Sequence, residues 1–243
     1  MKFENTEVWG FSHALRGMRN PMNSWDKSDS KYCKDCNIEA IDNCPKVEMY
    51  YECVNKNPNQ FIIGSKDMDL AQRLIKAGPE HRKFMRQIYV SVDITAPLYF
   101  FKEFDTYKIN TTANSTSTMH KLATTPITWD CFEHDDCTDD CLLLHVFDNE
   151  PYKMDDHISD VWDNLISVLE TIRVRYLETK DKRYWKELIR LLPESWLQTR
   201  TITMSYENLI NICRQRRGHK LSEWHQFIDW AKALPYAEEL IFI

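Results

Sequence analysis

Through Ile88-Tyr89-Val90-Ser91-Val92-Asp93-Ile94 the even positions are apolar and the odd ones more polar, the two-residue period of a half-buried strand. Pro97 follows, fixing φ at the first turn of a helix whose aromatic face is Phe101, Phe104 and Tyr107. Upstream, Met68, Leu70, Leu74 and Ile75 fall near helical spacing. This predicts a helix over about 66–77, capped by Ser65 or Asp67 and stopped by Gly78. Residues 1–22 read as a helix or strand and helix ending near Arg19-Asn20-Pro21.

Downstream, Ile158, Val161, Leu165, Val168, Leu169, Ile172 and Tyr176 mark the longest helix. Asp181 caps a shorter one bearing Trp185, Leu188, Ile189 and Leu192, which Pro193 ends. A strand over Thr199 to Met204 leads to Ser205, the N-cap of a helix carrying Leu209, Ile212 and Cys213 and ended by Gly218. A last helix spans about Ser222 to Ala233. Strands and helices mix, with helix in excess: an α/β (α+β) protein, a mixed sheet flanked by long helices.

Length adds one inference. A chain of 243 residues, 43% apolar, can bury a core without staples, so 1–243 reads as a single domain. Its irregular part is a Cys-containing insertion at about 23–60, rich in Lys, Asp and Asn. With only 5 glycines there is no GxGxxG and no GxxxxGK[ST], so neither the Rossmann nor the P-loop device holds phosphate here. A formal charge of -6 opposes a surface built for nucleic acid. Absence of a signal-like N-terminus and of a long apolar run predicts a cytoplasmic protein without a membrane span. In that compartment Asn110-Thr111-Thr112 and Asn114-Ser115-Thr116 read as a polar loop or binding segment rather than glycan acceptors.

Candidate chemistry concentrates in four places. Arg200, Arg214, Arg216, Arg217, His219 and Lys220 gather positive charge in an acidic chain, and the planar arginine fork suits phosphate oxygens; helix C-termini also attract cations. Arg82, Lys83 and Arg86 form a second basic group beside His81. Two cysteine sets, Cys33, Cys36, Cys44 and Cys53, and Cys131, Cys137 and Cys141 with His134 and His145, have the ligand types for zinc but not the paired CxxC spacing of a ribbon. Reduced cysteines and no metal are the expectation.

In order and register the chain resembles the flavin-dependent thymidylate synthases. His81 falls on that family's histidine before the first core strand, and Ala96-Pro97 on its Ala-Pro at the next helix. Lys102 stands at a basic position, and Thr106-Tyr107-Lys108 occupy the place of the Arg-His-Arg that opens the signature. Thr116 sits at the signature Ser, between Ser115 and Ser117; Asn114 replaces an acid and Thr118 an arginine. Arg190-Leu191-Leu192-Pro193 resembles an Arg-x-x-Leu-Pro with one residue fewer, and Thr199-Arg200 a Thr-Arg. Leu209 and Arg216 match the last signature helix, in which Glu207 replaces a substrate-binding arginine and would repel a phosphate that it faced.

The resemblance implies a thymidylate synthase complementing protein-like fold and a homotetramer with active sites between subunits. It also implies FAD as cofactor, a pyrimidine nucleotide of the dUMP type, and NADPH and methylene-tetrahydrofolate as co-substrates. Carried onto this chain, Ser115, Ser117 and Arg190 become the catalytic candidates, and His81, Lys108, Asn114, Arg200 and Arg216 the cofactor-binding ones. The reaction implied is reductive one-carbon transfer, in which fixed donors matter more than a protein nucleophile. The competing reading, a nucleotide-binding or protein-interaction protein that keeps the fold without flavin, draws on the exchanged Arg-His-Arg and on Glu207.

Overall fold

The alternating segment is a strand, β4 (Tyr89–Pro97), and Ile88, Val90, Val92, Ile94 and Ala96 are all buried. It lies in a computed structural model that describes residues 1–32, 61–135 and 157–243, and the backbone of 144–147 and 150–153. The chain runs β1 (Lys2–Trp9), α1 (Phe11–Arg19), β2 (Lys31–Tyr32), β3 (Phe61–Ile62), α2 (Ser65–Ala77) and β4. Then come α3 (Leu98–Phe104), β5 (Thr111–Ser115), α4 (Thr118–Lys121), β6 (Leu144–Phe147), β7 (Glu150–Lys153), α5 (Ile158–Thr179) and α6 (Lys182–Leu191). The chain closes with β8 (Leu197–Ser205), α7 (Tyr206–Arg216), α8 (Ser222–Lys232) and α9 (Ala237–Leu240).

The main sheet has the order β1-β4-β8-β5, while β2-β3 and β6-β7 are separate antiparallel pairs. Side-chain hydrogen bonds give the β4–β8 register: Ser91 with Thr203, Asp93 with Thr201, Thr95 with Thr199. One index falls as the other rises, so these two strands are antiparallel. Their odd residues form a polar ladder while Ile202 and Met204, on the alternate face of β8, are buried.

Two compact units are built on these elements. The first comprises Met1–Glu4, Asp93–Thr106 and Ala113–Ile202, the second Asn5–Val92, Tyr107–Thr112 and Thr203–Ile243. In the first, Leu122, Ala123, Ile127, Phe132, Leu169 and Leu188 form a buried cluster against which Trp162, Tyr176 and Trp196 pack. In the second, Phe11 meets Tyr206 and Tyr236 edge-on, and Trp224 meets Phe227. Gly10, between β1 and α1, has φ +97, and a Cβ there would stand 2.1 Å from the Gln87 carbonyl oxygen, so only glycine fits.

Local signals set most boundaries. Asp181 Oδ1 accepts from Arg183 N (2.9 Å) and Ser205 Oγ from Asn208 N (3.3 Å), the two N-caps read from sequence. Four expectations are corrected. Neither Ser65 nor Asp67 caps α2: the Asp29 carboxylate does, accepting from Lys66 N (2.9 Å) and Asp67 N (3.1 Å). Pro97 is the extended N-cap of α3 rather than part of its first turn, and the freed amides of Leu98 and Tyr99 donate to the carbonyls of Trp196 and Glu194. Helix α3 ends at Phe104, so its buried face is Phe100, Phe101 and Phe104, and Tyr107 lies beyond it. Within the polar segment, Thr111–Ser115 is a strand and not a loop.

Most of the 23–60 insertion lies outside the described residues, as do Cys33, Cys36, Cys44, Cys53, Cys137 and Cys141. Among the described residues no cluster of three metal-binding side chains occurs, and no helix is long and apolar enough to cross a membrane.

Candidate functional site

Alternation along β8 places residues 198, 200, 202 and 204 on one face. Ile202 and Met204 continue the apolar core there, whereas the first two positions are Gln198 and Arg200, and this polar start is where the first unit gathers its functional groups. Gln198, 8% exposed, donates from Nε2 to the Thr116 carbonyl (2.9 Å) and accepts at Oε1 from Arg200 Nε (2.9 Å). Arg200 NH1 donates to Asp105 Oδ1 (2.8 Å), and its guanidinium lies 4.0 Å from the Phe101 ring centroid. Arg200 is 15% exposed and Asp105 46%.

The Ser/Thr segment is moored to the same strand. Thr116 N donates to the Thr199 carbonyl (2.9 Å), and Thr116 Oγ1 accepts from Thr199 N (3.3 Å). On either side of this anchor, Asn114 and Ser115 are exposed on β5, and Ser117 caps α4. The Ser117 hydroxyl accepts from His120 N (3.1 Å) and lies 2.9 Å from His120 Nδ1. Arg200 and the 114–117 segment are thus joined through Gln198. Arg190 is not part of that group among the described contacts; it is exposed on α6 and paired with Glu187, one turn before it. Lys102 is likewise exposed and paired with Glu194 (2.6 Å).

In the second unit His81 borders a cavity of about 1110 Å³, slightly larger than most ligand pockets. Met18, Leu70, Leu74 and Phe84 give it an apolar lining, and Lys27, Lys66 and Lys83 a cationic one. The three lysines have no ion-pair partner among the described residues, whereas Arg73, also in the lining, pairs with Asp69 (2.9 Å). Arg19, also in the lining, is buried and donates to Asp67 Oδ1 (2.6 Å). Burial pushes the Asp67 carboxyl upward, but hydrogen bonds from Ser28, Ser30 and Arg19, with the Arg19 charge, outweigh it and hold the group below its ordinary value.

Glu207 is paired within the protein. It is buried against Arg82, whose Nε lies 2.9 Å from Oε2 as an ion pair and donates to Oε1 at 3.2 Å; NH2 donates to Oε1 at 3.1 Å. The acid that replaces an arginine of the family is therefore neutralised within its own unit. From Glu207 to Arg216 helix α7 rises roughly 13 Å, at about 1.5 Å per residue, so Arg216 stands at the opposite end. There its Nε donates to the Tyr107 hydroxyl (2.8 Å), and its guanidinium lies 4.5 Å from the Trp224 ring centroid. Lys108, beside Tyr107, is exposed. Burial pushes the Cys213 thiol on α7 up to about 12, which keeps it protonated and unsuited to attack.

Reading residues for chemistry missed Gln198 and Asp105. The first had only a faint signal, a polar side chain one residue before the predicted strand and in phase with Ile202 and Met204. The second had none, because it meets Arg200 across 95 positions of sequence.

In three dimensions these elements make the fold of the flavin-dependent thymidylate synthases. Two solved structures carry that statement, both of the flavin-dependent thymidylate synthase ThyX of Helicobacter pylori with FAD and dUMP. One superposes with a TM-score of 0.62 at 16% identity, over 99% of this chain and 98% of its own; the other with 0.61 at 17%, over 99% and 97%. No protein-family model matches the sequence, and no curated protein does. The likeness is one of fold, retained where sequence has diverged.

Proposed function

We propose that the protein is a divergent flavin-dependent thymidylate synthase that acts on a pyrimidine nucleotide of the dUMP type. Its cofactor in this reading is FAD, with NADPH and methylene-tetrahydrofolate as co-substrates in a reductive one-carbon transfer. One observation carries it: Arg200 is held between Gln198 and Asp105 next to the hydroxyl-rich 114–117 segment, on a fold whose solved members in the comparison hold dUMP and FAD. A guanidinium fixed at Nε and NH1 and neighboured by hydroxyls suits a phosphomonoester.

The cavity beside His81 fits a flavin nucleotide in its donor set. Lys27, Lys66 and Lys83 supply charge for a pyrophosphate, and Met18, Leu70, Leu74 and Phe84 supply a surface for a flat ring. A bound flavin supplies the redox chemistry; this chain's residues bind, orient and exclude water. Arg200 takes the phosphate, Ser115 offers an exposed hydroxyl, and the Ser117 hydroxyl keeps α4 capped. A homotetramer and a cytoplasmic location belong to the same reading.

The rival, a nucleotide-binding protein of this fold without flavin, is favoured by one feature: Tyr107 takes the middle of the Arg-His-Arg place and is used to hold Arg216. Two measurements separate them. Visible absorption after incubation with FAD and gel filtration shows oxidised-flavin bands if the enzyme reading holds, and calorimetry with dUMP then shows saturable binding. A colourless protein that binds dUMP belongs to the rival, and one that binds neither overturns both.

A further inference from the structure

Gln198 is the least exposed polar side chain among the groups gathered around Arg200, and nothing in its surroundings requires an amide for packing. A methionine or leucine would fill the same place on a core face that continues into Ile202 and Met204. An amide has one property that those side chains lack: it donates and accepts at once. Here both functions are used, in opposite directions, by Arg200 and by the Thr116 carbonyl. The acceptor must be Oε1, because a guanidinium only donates, and the donor must be Nε2, because a carbonyl only accepts.

Resting on the nucleotide reading above, we infer that Gln198 is a positioning residue that ties Arg200 to the 114–117 segment and so sets the protein's preference for a phosphorylated pyrimidine. With Nε held by Gln198 and NH1 by Asp105, rotation of the guanidinium is blocked, and NH2 has no partner among the described residues. That nitrogen is the donor left for a phosphate oxygen. Asp105 acts in the opposite sense electrostatically: it helps orient the fork, yet at 46% exposure its charge also competes with an incoming anion.

The two partners therefore have effects of opposite sign. Gln198→Met, close in volume, frees Nε and removes one of the three hydrogen bonds on Thr116; dUMP should bind about tenfold or more weakly, with deoxyuridine little changed, the size expected for a hydrogen bond to a charged group. Asp105→Asn keeps an acceptor for NH1 and removes the competing charge; dUMP should bind a few-fold more tightly, about twofold to fivefold, again with deoxyuridine unchanged. Calorimetry with dUMP and deoxyuridine on the full chain reads both. A purely structural Gln198 would lower thermal stability and leave the dUMP to deoxyuridine ratio as in the wild type, which overturns the inference.

Should Gln198→Met not fold, Asp105→Asn decides alone. Tighter binding confined to dUMP supports the inference; no change, or equal change with both ligands, overturns it. Wild-type protein that fails to bind dUMP overturns the nucleotide reading itself, and this inference with it.

Discussion

Arg19 and Arg200 are held in opposite ways. Arg19, in the second unit, is 5% exposed and faces an Asp67 that is wholly buried, and that carboxylate also accepts from Ser28 Oγ (2.6 Å) and from Ser30 at N (3.2 Å) and Oγ (2.5 Å). Arg200, in the first, has a half-exposed acid and keeps one nitrogen without a partner among the described residues. Saturation and burial, not the presence of a guanidinium, separate an arginine that fastens the fold from one available to a ligand.

The largest test of that contrast removes the saturated acid. Asp67→Ala leaves Arg19 charged and buried without its counter-ion, which costs about 3–5 kcal/mol and lowers the melting temperature by roughly 10 °C at this chain length. Calorimetric melting checks it; a loss under about 1 kcal/mol would show that the site relaxes and the contrast fails. Arg200→Met should change stability by less than about 1 kcal/mol and weaken dUMP by about tenfold or more, since it removes a pair whose acid is half-exposed and the phosphate donor together.

The acid limb sharpens the same contrast. Because the folded Asp67 carboxyl lies below its ordinary value of 3.8, its contribution is fully present above that value and is lost as pH falls through the folded one. The difference in urea midpoint between wild type and Asp67→Asn should therefore be constant from pH 7 to about pH 5 and shrink only below about pH 4. Smaller still, Ser205→Ala removes the cap of α7 and should cost about 1 kcal/mol. Lys102→Ala breaks only an exposed pair and should cost well under 1 kcal/mol in the same assay.

What the sequence discloses follows from how local each cause is. Ser205 and Asp181 act on amides two or three residues ahead, and their caps were readable. The strand face from Ile88 to Ile94 was readable because one unbroken alternation spans it. By contrast β5 reads Thr-Thr-Ala-Asn-Ser, mostly exposed and without alternation; it sits beside β8 at the edge of the sheet order, and no side-chain pattern announces that.

The site divides in the same manner. Arg200 and the Ser115 to Ser117 segment could be singled out from residue type and register with a known family. Their mooring could not, since Gln198 reaches Thr116 across 82 positions. The pairing of Glu207 was illegible for the same reason: its partner Arg82 is 125 residues away.

Asp29 has a consequence for the cavity beside His81. A helix start ordinarily offers fixed amides to an anion, but the first amides of α2 are occupied by this carboxylate from 37 residues upstream. An anionic guest must instead be gripped by ammonium groups on flexible stems, Lys66 and Lys83 among them. Such a grip weakens as ionic strength rises, so anion binding here, where the proposed reading places it, should fall with added salt more steeply than binding to fixed amides.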